Sequence, residues 1–149
     1  LVLDSKKLLL NQKSVFYSIS AIIVTNILVW LVNNLVSRPR PFIGNSDEIQ
    51  LMFYAPTDPS FPANPVAIGF TVAASIFPAN KYLGYILLVA SLIFSFSRIY
   101  VGVFYFVDVF SAAILGFIVA LLVRKIMRIK IINLILMKQI KILRLLALS

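Results

Sequence analysis

Residues 14–36, SVFYSISAIIVTNILVWLVNNLV, decide the fold class because the whole stretch contains no charged side chain. A helix rises about 1.5 Å per residue, so a segment of this length can cross the ~30 Å hydrocarbon core of a bilayer. The rest of the chain agrees, since 61% of its 149 residues are hydrophobic and its mean hydropathy is +1.00. Soluble domains contain about 45–50% apolar residues, and the excess here must face lipid. We therefore predict an all-α integral membrane protein, built as a polytopic helix bundle.

Three more apolar segments follow this stretch, and together they predict about four transmembrane helices in one membrane domain over residues 1–149. The predicted spans are 14–36, 65–80, 82–98 and 103–123. Proline is well tolerated in the first turn of a helix, which places Pro65 at the start of the second span. Residues 1–13 are mixed in polarity. They are predicted to form an interfacial helix or the end of a longer element.

The positive charges fall mainly on one side of this four-span arrangement. That side carries Lys6, Lys7, Lys13, Lys81, Arg124, Lys125, Arg128 and Lys130. Cytoplasmic loops of membrane proteins are enriched in Lys and Arg. Both termini are therefore predicted to be cytoplasmic, and the loop over residues 37–64 is predicted to be extracytoplasmic.

Three arginines, Arg38, Arg40 and Arg98, are predicted on the extracytoplasmic side, together with Asp58 and Asp108. Guanidinium groups bind phosphate oxygens through paired, parallel hydrogen bonds. This cluster is therefore the candidate binding site for a phosphate-bearing ligand. The chain has no Cys and no His, which excludes disulfides and thiolate metal sites and removes the commonest general base. We predict no cofactor and no metal site.

The net charge of +9 and the basic tail over residues 124–149 bear on the partners of the chain. In a chain this apolar they favour membrane lipids with anionic headgroups, and we predict no nucleic-acid binding. We expect the tail to continue the fourth span and then to lie as a basic helix on the inner leaflet, with a fifth span as the alternative. A protein partner or a second copy of the chain stays open. The sequence begins at Leu1 rather than Met, so we expect a processed or shortened form.

Three short segments resemble the signatures of the type 2 phosphatidic acid phosphatase family, membrane phosphatases related to the vanadium haloperoxidases. NNLVSRPRPF, residues 33–42, resembles the first signature, which is Lys, six residues, then Arg-Pro. PSFPANPVAIGF, residues 59–70, resembles the surroundings of the second, Pro-Ser-Gly-His. SRIYVGVFYFVDV, residues 97–109, resembles the third, Ser-Arg, five residues, His, three residues, Asp. The order and spacing match, and the small bacterial and archaeal polyprenyl-diphosphate phosphatases look most similar.

The resemblance implies roles for the residues that match. Arg40 and Arg98 are expected to hold the phosphate oxygens of a lipid phosphate or diphosphate. Asp108, Arg38 and Ser97 are expected to support them. The implied ligand is therefore a membrane lipid that carries phosphate.

Five positions depart from the family pattern. Asn33 stands where the family has Lys, and Ala63 and Asn64 stand in place of Ser and Gly. Pro65 replaces the His that protonates the leaving group, and Phe104 replaces the His that attacks phosphorus. A phenyl ring has no lone pair to offer as a nucleophile, and proline can neither donate nor accept a proton. We therefore expect a catalytically degenerate protein that retains an Arg and Asp relic of a lipid-phosphate site.

Two other functions stay open. The first is an active lipid phosphatase, or polyprenyl diphosphatase, with a non-standard nucleophile. Candidate nucleophiles are Asp58, Ser60, Tyr100 and Tyr105. The second is a structural subunit of a membrane complex.

The charged residues also have structural interpretations. An arginine near the end of a span can reach the interface at low cost, and Arg98 could there pair with Asp108. Asp108 lies four residues after Phe104, so on one helix the two would share a face. A buried carboxylate needs a cationic partner, for which we predict Arg98 or Arg40. The segment Arg38–Pro41 is equally suited to be a stiff exit from the first span.

Overall fold

The computed structural model describes residues 2–44 and 56–129, with side chains from Gln12 onward. The helices are α1 (Val2–Val36), α2 (Pro41–Gly44), α3 (Asn64–Ile76), α4 (Lys81–Tyr100) and α5 (Phe106–Met127). No strand occurs in these two ranges. The prediction of an all-α membrane bundle is confirmed. Part of the predicted outer loop and the predicted basic helix of the tail lie outside the described residues.

Three helices are long and apolar enough to cross a membrane, and they are α1, α4 and α5. The predicted span over residues 65–80 corresponds to α3, which has only 13 residues and is therefore about 20 Å long. It ends at Ile76 because Pro78 cannot continue a helix. The four predicted spans thus become three long helices and one short one. The predicted N-terminal segment belongs to α1, which runs without a break from Val2.

The short helix α3 lies at the centre of the bundle, where it packs against α1, α4 and α5. A helix too short to span the membrane is tolerated here because the surrounding helices shield the backbone polar groups at its ends from lipid. Close approach to α5 depends on Gly116. A Cβ atom at this position would lie 2.4 Å from the carbonyl oxygen of Ala67, which belongs to the backbone of α3. Small residues at helix contacts are typical of membrane bundles.

A buried pair of hydroxyl groups joins three of the helices. Thr25 Oγ1 on α1 lies 2.9 Å from Thr71 Oγ1 on α3. The Thr71 hydroxyl is also 2.8 Å from the carbonyl oxygen of Ala67 and 3.3 Å from that of Gly116 on α5. Both threonine side chains are fully buried. Hydrogen bonds of this kind hold helices together where lipid offers no hydrophobic driving force.

The outer faces of the long helices are apolar and exposed. They include Ile19, Ile23, Ile27, Trp30, Ile86, Val89, Ile93, Phe96, Ile118, Leu121 and Leu122. Exposed apolar surface on this scale is a liability in water but matches a lipid environment. The small and hydroxyl-bearing residues face inward instead, as at Ala21, Thr25, Ala67 and Thr71.

The variant Gly116→Ala tests the contact between α3 and α5. Alanine favours a helix over glycine by about 1 kcal/mol, so an uncrowded site would be stabilised. Here we expect the opposite sign, a loss of about 1–3 kcal/mol, because the new methyl group meets backbone rather than a movable side chain. The measurement is thermal unfolding of the purified protein in detergent. Gly69→Ala is the matched control, since its new methyl group meets the hydroxyl of Ser91, which can rotate away. A Gly116→Ala protein as stable as the wild type contradicts the close approach.

Candidate functional site

The turn between α4 and α5 fixes the third signature segment. Gly102 has φ 73°, a left-handed conformation that favours glycine. Its N–H donates to the carbonyl of Ile99, and the N–H of Val103 donates to the carbonyl of Arg98. This pair of bonds is the Schellman pattern that ends helices. The N–H of Phe104 also points to the Arg98 carbonyl, at 3.4 Å, so the whole turn is attached to the end of α4.

Asp108, in the first turn of α5, is fully buried and is paired with Arg38. Arg38 Nη1 lies 2.8 Å from Asp108 Oδ1, and the other carboxylate oxygen accepts the N–H of Tyr105 at 3.3 Å. The Arg38 guanidinium carbon also lies 4.2 Å from the centre of the Tyr105 ring. A carboxylate is favoured at this place because helix N-termini carry partial positive charge. The prediction that Arg98 or Arg40 is the partner of Asp108 is therefore wrong.

Arg40 is the largest fully buried side chain of the described ranges, with 2% of its surface exposed. Its Nε donates to the carbonyl of Asp58 at 2.8 Å, and its Nη2 lies 2.9 Å from Asp58 Oδ1. Nη1 points to the carbonyl of Val103 at 3.4 Å. The guanidinium carbon lies 4.4 Å from the centre of the Phe104 ring, a cation–π distance. Arg40 is therefore held by the loop before α3 and by the turn before α5.

Arg98, near the end of α4, lies over the ring of Phe94 one helical turn earlier, at 4.5 Å. Its Nε is buried and has no hydrogen-bond partner among the described residues. The structural interpretation that paired Arg98 with Asp108 is wrong, since Asp108 is taken by Arg38. Ser97 is exposed, and its hydroxyl donates to the carbonyl of Phe94 in its own helix.

The side chain of Arg40 reaches the turn that begins at Arg98, whereas the guanidinium of Arg98 lies over Phe94. Arg40 points to the carbonyl of Val103, whose N–H donates to the carbonyl of Arg98. Phe104 lies in this turn, before α5 begins at Phe106, and is 5% exposed. The argument that Phe104 and Asp108 share one helix face therefore fails, because only Asp108 is on the helix.

The second signature segment lies against the third. Ala63 is fully buried, and its N–H points to the carbonyl of Asp108 at 3.3 Å. Asn64 turns the other way, with its side-chain amide donating to Asn26 Oδ1 on α1 at 3.1 Å. Pro65 is exposed and lies in the first turn of α3. Asn33, at the Lys position of the first signature, has a buried Oδ1 without a partner in the described part of the chain.

An apolar groove of about 470 Å³ runs between α3 and α4. Its wall includes Pro65 and Gly69 of α3 and Leu87, Ala90 and Phe94 of α4. The groove reaches Phe94, the ring on which the Arg98 guanidinium rests.

Sequence reasoning missed one ion pair and one member of this site. Asp58 was placed in the charged cluster and among the candidate nucleophiles, but its pairing with Arg40 was not predicted, although a buried arginine needs an anionic partner. Phe94 was not considered at all, although it lies four residues before Arg98 and so on the same helix face. Both could have been found from the position of the two arginines.

The chain matches a protein-family model, two characterised relatives and two solved structures. The model of the PAP2 superfamily matches residues 14–132. The bacitracin transport permease protein BcrC of Bacillus licheniformis is 32% identical over 113 residues, which is 76% of this chain and 55% of the relative. The undecaprenyl-diphosphatase BcrC of Bacillus subtilis (strain 168) is 26% identical over 112 residues, 75% of this chain and 57% of the relative. The chain thus spans little more than half the length of these curated relatives.

Two solved structures share the arrangement of helices. LpxE of Aquifex aeolicus superposes with a TM-score of 0.69 and 30% identity, over 83% of this chain and 76% of LpxE. A PAP2 type phosphatidylglycerolphosphate phosphatase of Bacillus subtilis superposes with a TM-score of 0.56, over 84% of this chain and 68% of that protein. Its identity is 19%, so this second likeness concerns the fold alone.

The family model covers all three signature segments and all three long apolar helices from Ser14 onward. The chain is therefore an integral membrane protein that belongs to the PAP2 superfamily.

Proposed function

We propose that this chain is a catalytically degenerate member of its family, which binds the phosphate group of a membrane lipid without hydrolysing it. The contact between the Arg40 guanidinium and the Phe104 ring carries this proposal. At the position of the attacking histidine, a hydrocarbon ring lies directly beneath a phosphate-binding arginine. The match to the signatures identifies Phe104 and Pro65 as the positions of the two catalytic histidines, and neither side chain can take over the chemistry of a histidine.

The missing groups remove both chemical steps of hydrolysis. Phe104 cannot form a bond to phosphorus, and in another hydrolase loss of the nucleophile costs about 10⁶ in rate. Pro65 cannot protonate the leaving oxygen, a contribution of roughly 10²–10⁴. The arginines can still stabilise negative charge on phosphate. The site can therefore still bind a phosphate group although it cannot hydrolyse the phosphate ester.

The surroundings of Arg98 support a lipid as the ligand. Its buried Nε has no partner among the described residues, and a buried donor of this kind is costly unless a ligand accepts its hydrogen bond. The apolar groove between α3 and α4 leads to the ring beneath it. We infer a polyprenyl or acyl chain in the groove and a phosphate at Arg98, in keeping with the name of one relative, an undecaprenyl-diphosphatase.

Arg40 can join this site when its carboxylate partner is displaced. Asp58 has 59% of its side chain exposed, whereas Arg40 is buried. An incoming phosphate can therefore replace the Asp58 carboxylate on Arg40 Nη2 without moving the arginine. Following the distribution of cations, we propose that this end of the bundle is extracytoplasmic and that both termini are cytoplasmic.

An active phosphatase with another nucleophile is the second candidate, and the exposure of Asp58 favours it. Its carboxylate lies beside Arg40, and carboxylates do form phosphoryl intermediates. The other candidates are less suited to attack: the Ser60 hydroxyl is buried and donates to Pro39, and Tyr100 stacks on Phe96 at the exposed surface. The Tyr105 ring is covered by Arg38.

The purified wild-type protein is expected to release no inorganic phosphate above the blank from a polyprenyl diphosphate or from phosphatidic acid. The physical reason is the absence of an attacking and a protonating side chain. Asp58→Ala and Asp58→Asn should give the same null result. Wild-type turnover that is lost in both Asp58 variants contradicts the proposal and makes Asp58 the nucleophile.

Vanadate, a phosphate mimic, is expected to protect the wild-type protein from thermal unfolding. At about ten times its dissociation constant a ligand stabilises by roughly 1.4 kcal/mol, or a rise of about 3–6 °C in Tm for a protein of this size. Arg98→Ala should abolish the rise. Lys81→Ala, which removes an exposed cation far from the site, should keep it. A rise of equal size in both variants rejects Arg98 as a phosphate ligand, and no rise in the wild type favours a structural subunit.

Restoring the family side chains should restore hydrolysis. We expect the combined variant Asn33→Lys, Ala63→Ser, Pro65→His and Phe104→His to release phosphate from a polyprenyl diphosphate at a measurable rate. The same variant without Phe104→His is the control and should stay inactive, because it differs from the combined variant only in the attacking side chain. If the combined variant unfolds at a temperature near that of the wild type and yet releases nothing, the signature positions do not form a phosphatase site here.

A further inference from the structure

The end of the bundle opposite the arginine and aspartate site contains a second, basic cavity of about 140 Å³. It lies between the N-terminal half of α1, the turn joining α3 to α4, and the C-terminal end of α5. Its cations are Lys13, Arg124 and Arg128. The arginine and aspartate site described above is formed by the other ends of the same helices, so the two charged clusters lie at opposite ends of the bundle.

The charges of Arg124 and Arg128 are not neutralised by the described acidic side chains. Neither Arg124 nor Arg128 forms an ion pair within residues 12–43 and 56–129. Asp58 and Asp108, the acidic residues whose side chains the structure describes, are paired with arginines at the opposite end. Repulsion between the two neighbouring guanidinium groups is relieved when an anion binds between them.

The wall of the cavity adds groups that suit a phosphate. Ser14 and Tyr17, each 8% exposed, contribute hydroxyl-bearing side chains beside the cations. Hydroxyl groups donate to phosphate oxygens, and guanidinium groups bind phosphates with two parallel hydrogen bonds.

An apolar groove of about 200 Å³ borders the basic cavity and shares Ser14 and Ala79 with it. The groove is lined by Val15 of α1, Ile76 at the end of α3 and Leu83 of α4. Val15 and Leu83 are exposed on the outer surface of the bundle. A polar cavity that continues into an apolar groove matches a phospholipid, whereas a free phosphate would use the polar part alone.

We propose that this end of the bundle binds an anionic phospholipid, with its phosphate at Arg124 and Arg128 and an acyl chain in the groove between Val15 and Leu83. Basic pockets between membrane helices bind anionic lipid headgroups in this way. The site is independent of the proposed function, because it shares no residue with the signature segments and needs only that this end of the bundle lies at a membrane interface.

The test compares lipids of equal chain length. The whole chain, purified in detergent, is titrated with phosphatidylglycerol and with phosphatidylcholine, and bound lipid is counted by native mass spectrometry. We expect the wild type to retain one phosphatidylglycerol in preference to phosphatidylcholine. Each cation near an anionic headgroup contributes about 1 kcal/mol, so R124Q/R128Q should bind phosphatidylglycerol at least roughly tenfold more weakly.

A matched variant separates this site from general surface charge. K81Q/K125Q also removes two cations from the same end, at exposed positions outside the cavity wall, and should bind phosphatidylglycerol as the wild type does. Equal losses in the two double variants overturn the site, as does a wild type without preference for phosphatidylglycerol. Inorganic phosphate at millimolar concentration that displaces the lipid fully shows a phosphate site and overturns the lipid proposal. Should R124Q/R128Q fail to fold, the lipid preference of the wild type and its response to inorganic phosphate decide the question.

Discussion

The burial of Arg40 is the constraint on which one end of the bundle depends. A guanidinium group keeps its proton under all ordinary conditions, so it must be hydrogen-bonded when it leaves water. Here the loop before α3 supplies a carboxylate and a carbonyl of Asp58, and the turn before α5 supplies the carbonyl of Val103 and the ring of Phe104. One side chain therefore ties the first signature segment to the third and to Asp58, the residue just before the second.

The fold class and the end at which the site forms followed from local features of the sequence. A charge-free run such as 14–36, long enough to cross the bilayer once, specifies a membrane helix because a helix satisfies all its backbone polar groups within a single segment. The pairing of the arginines was not predictable, since Arg38 rather than Arg40 reaches Asp108 through the left-handed conformation of Ser37 and the extended segment after it. No pattern of residue types specifies that geometry. The length of α3 was overestimated for a related reason: its apolar composition continues past Ile76, but Pro78 ends the helix.

The interior of this bundle is built mainly from Ala, Val, Ser and Thr, with Phe70 and Phe104 among its few large buried side chains. The largest aliphatic side chains face outward, where lipid replaces the water that would make them costly. Contact between helices then depends on close approach, as at Gly116 against Ala67, and on the shared hydroxyl bonds of Thr25 and Thr71. This division explains why hydropathy indicates the spans but says little about which faces pack together.

The groove between α3 and α4 opens to the side of the bundle, where Pro65 and Ala90 are exposed. On the function proposed above, a lipid that binds in this groove would arrive by lateral diffusion within the leaflet and would not need to pass through water. Its effective concentration is then its mole fraction among the surrounding lipids, which is set by composition of the bilayer and is unchanged by dilution of the cell suspension. The fraction of the protein with a phosphorylated lipid at Arg98 would accordingly depend on the mole fraction of that lipid in the leaflet.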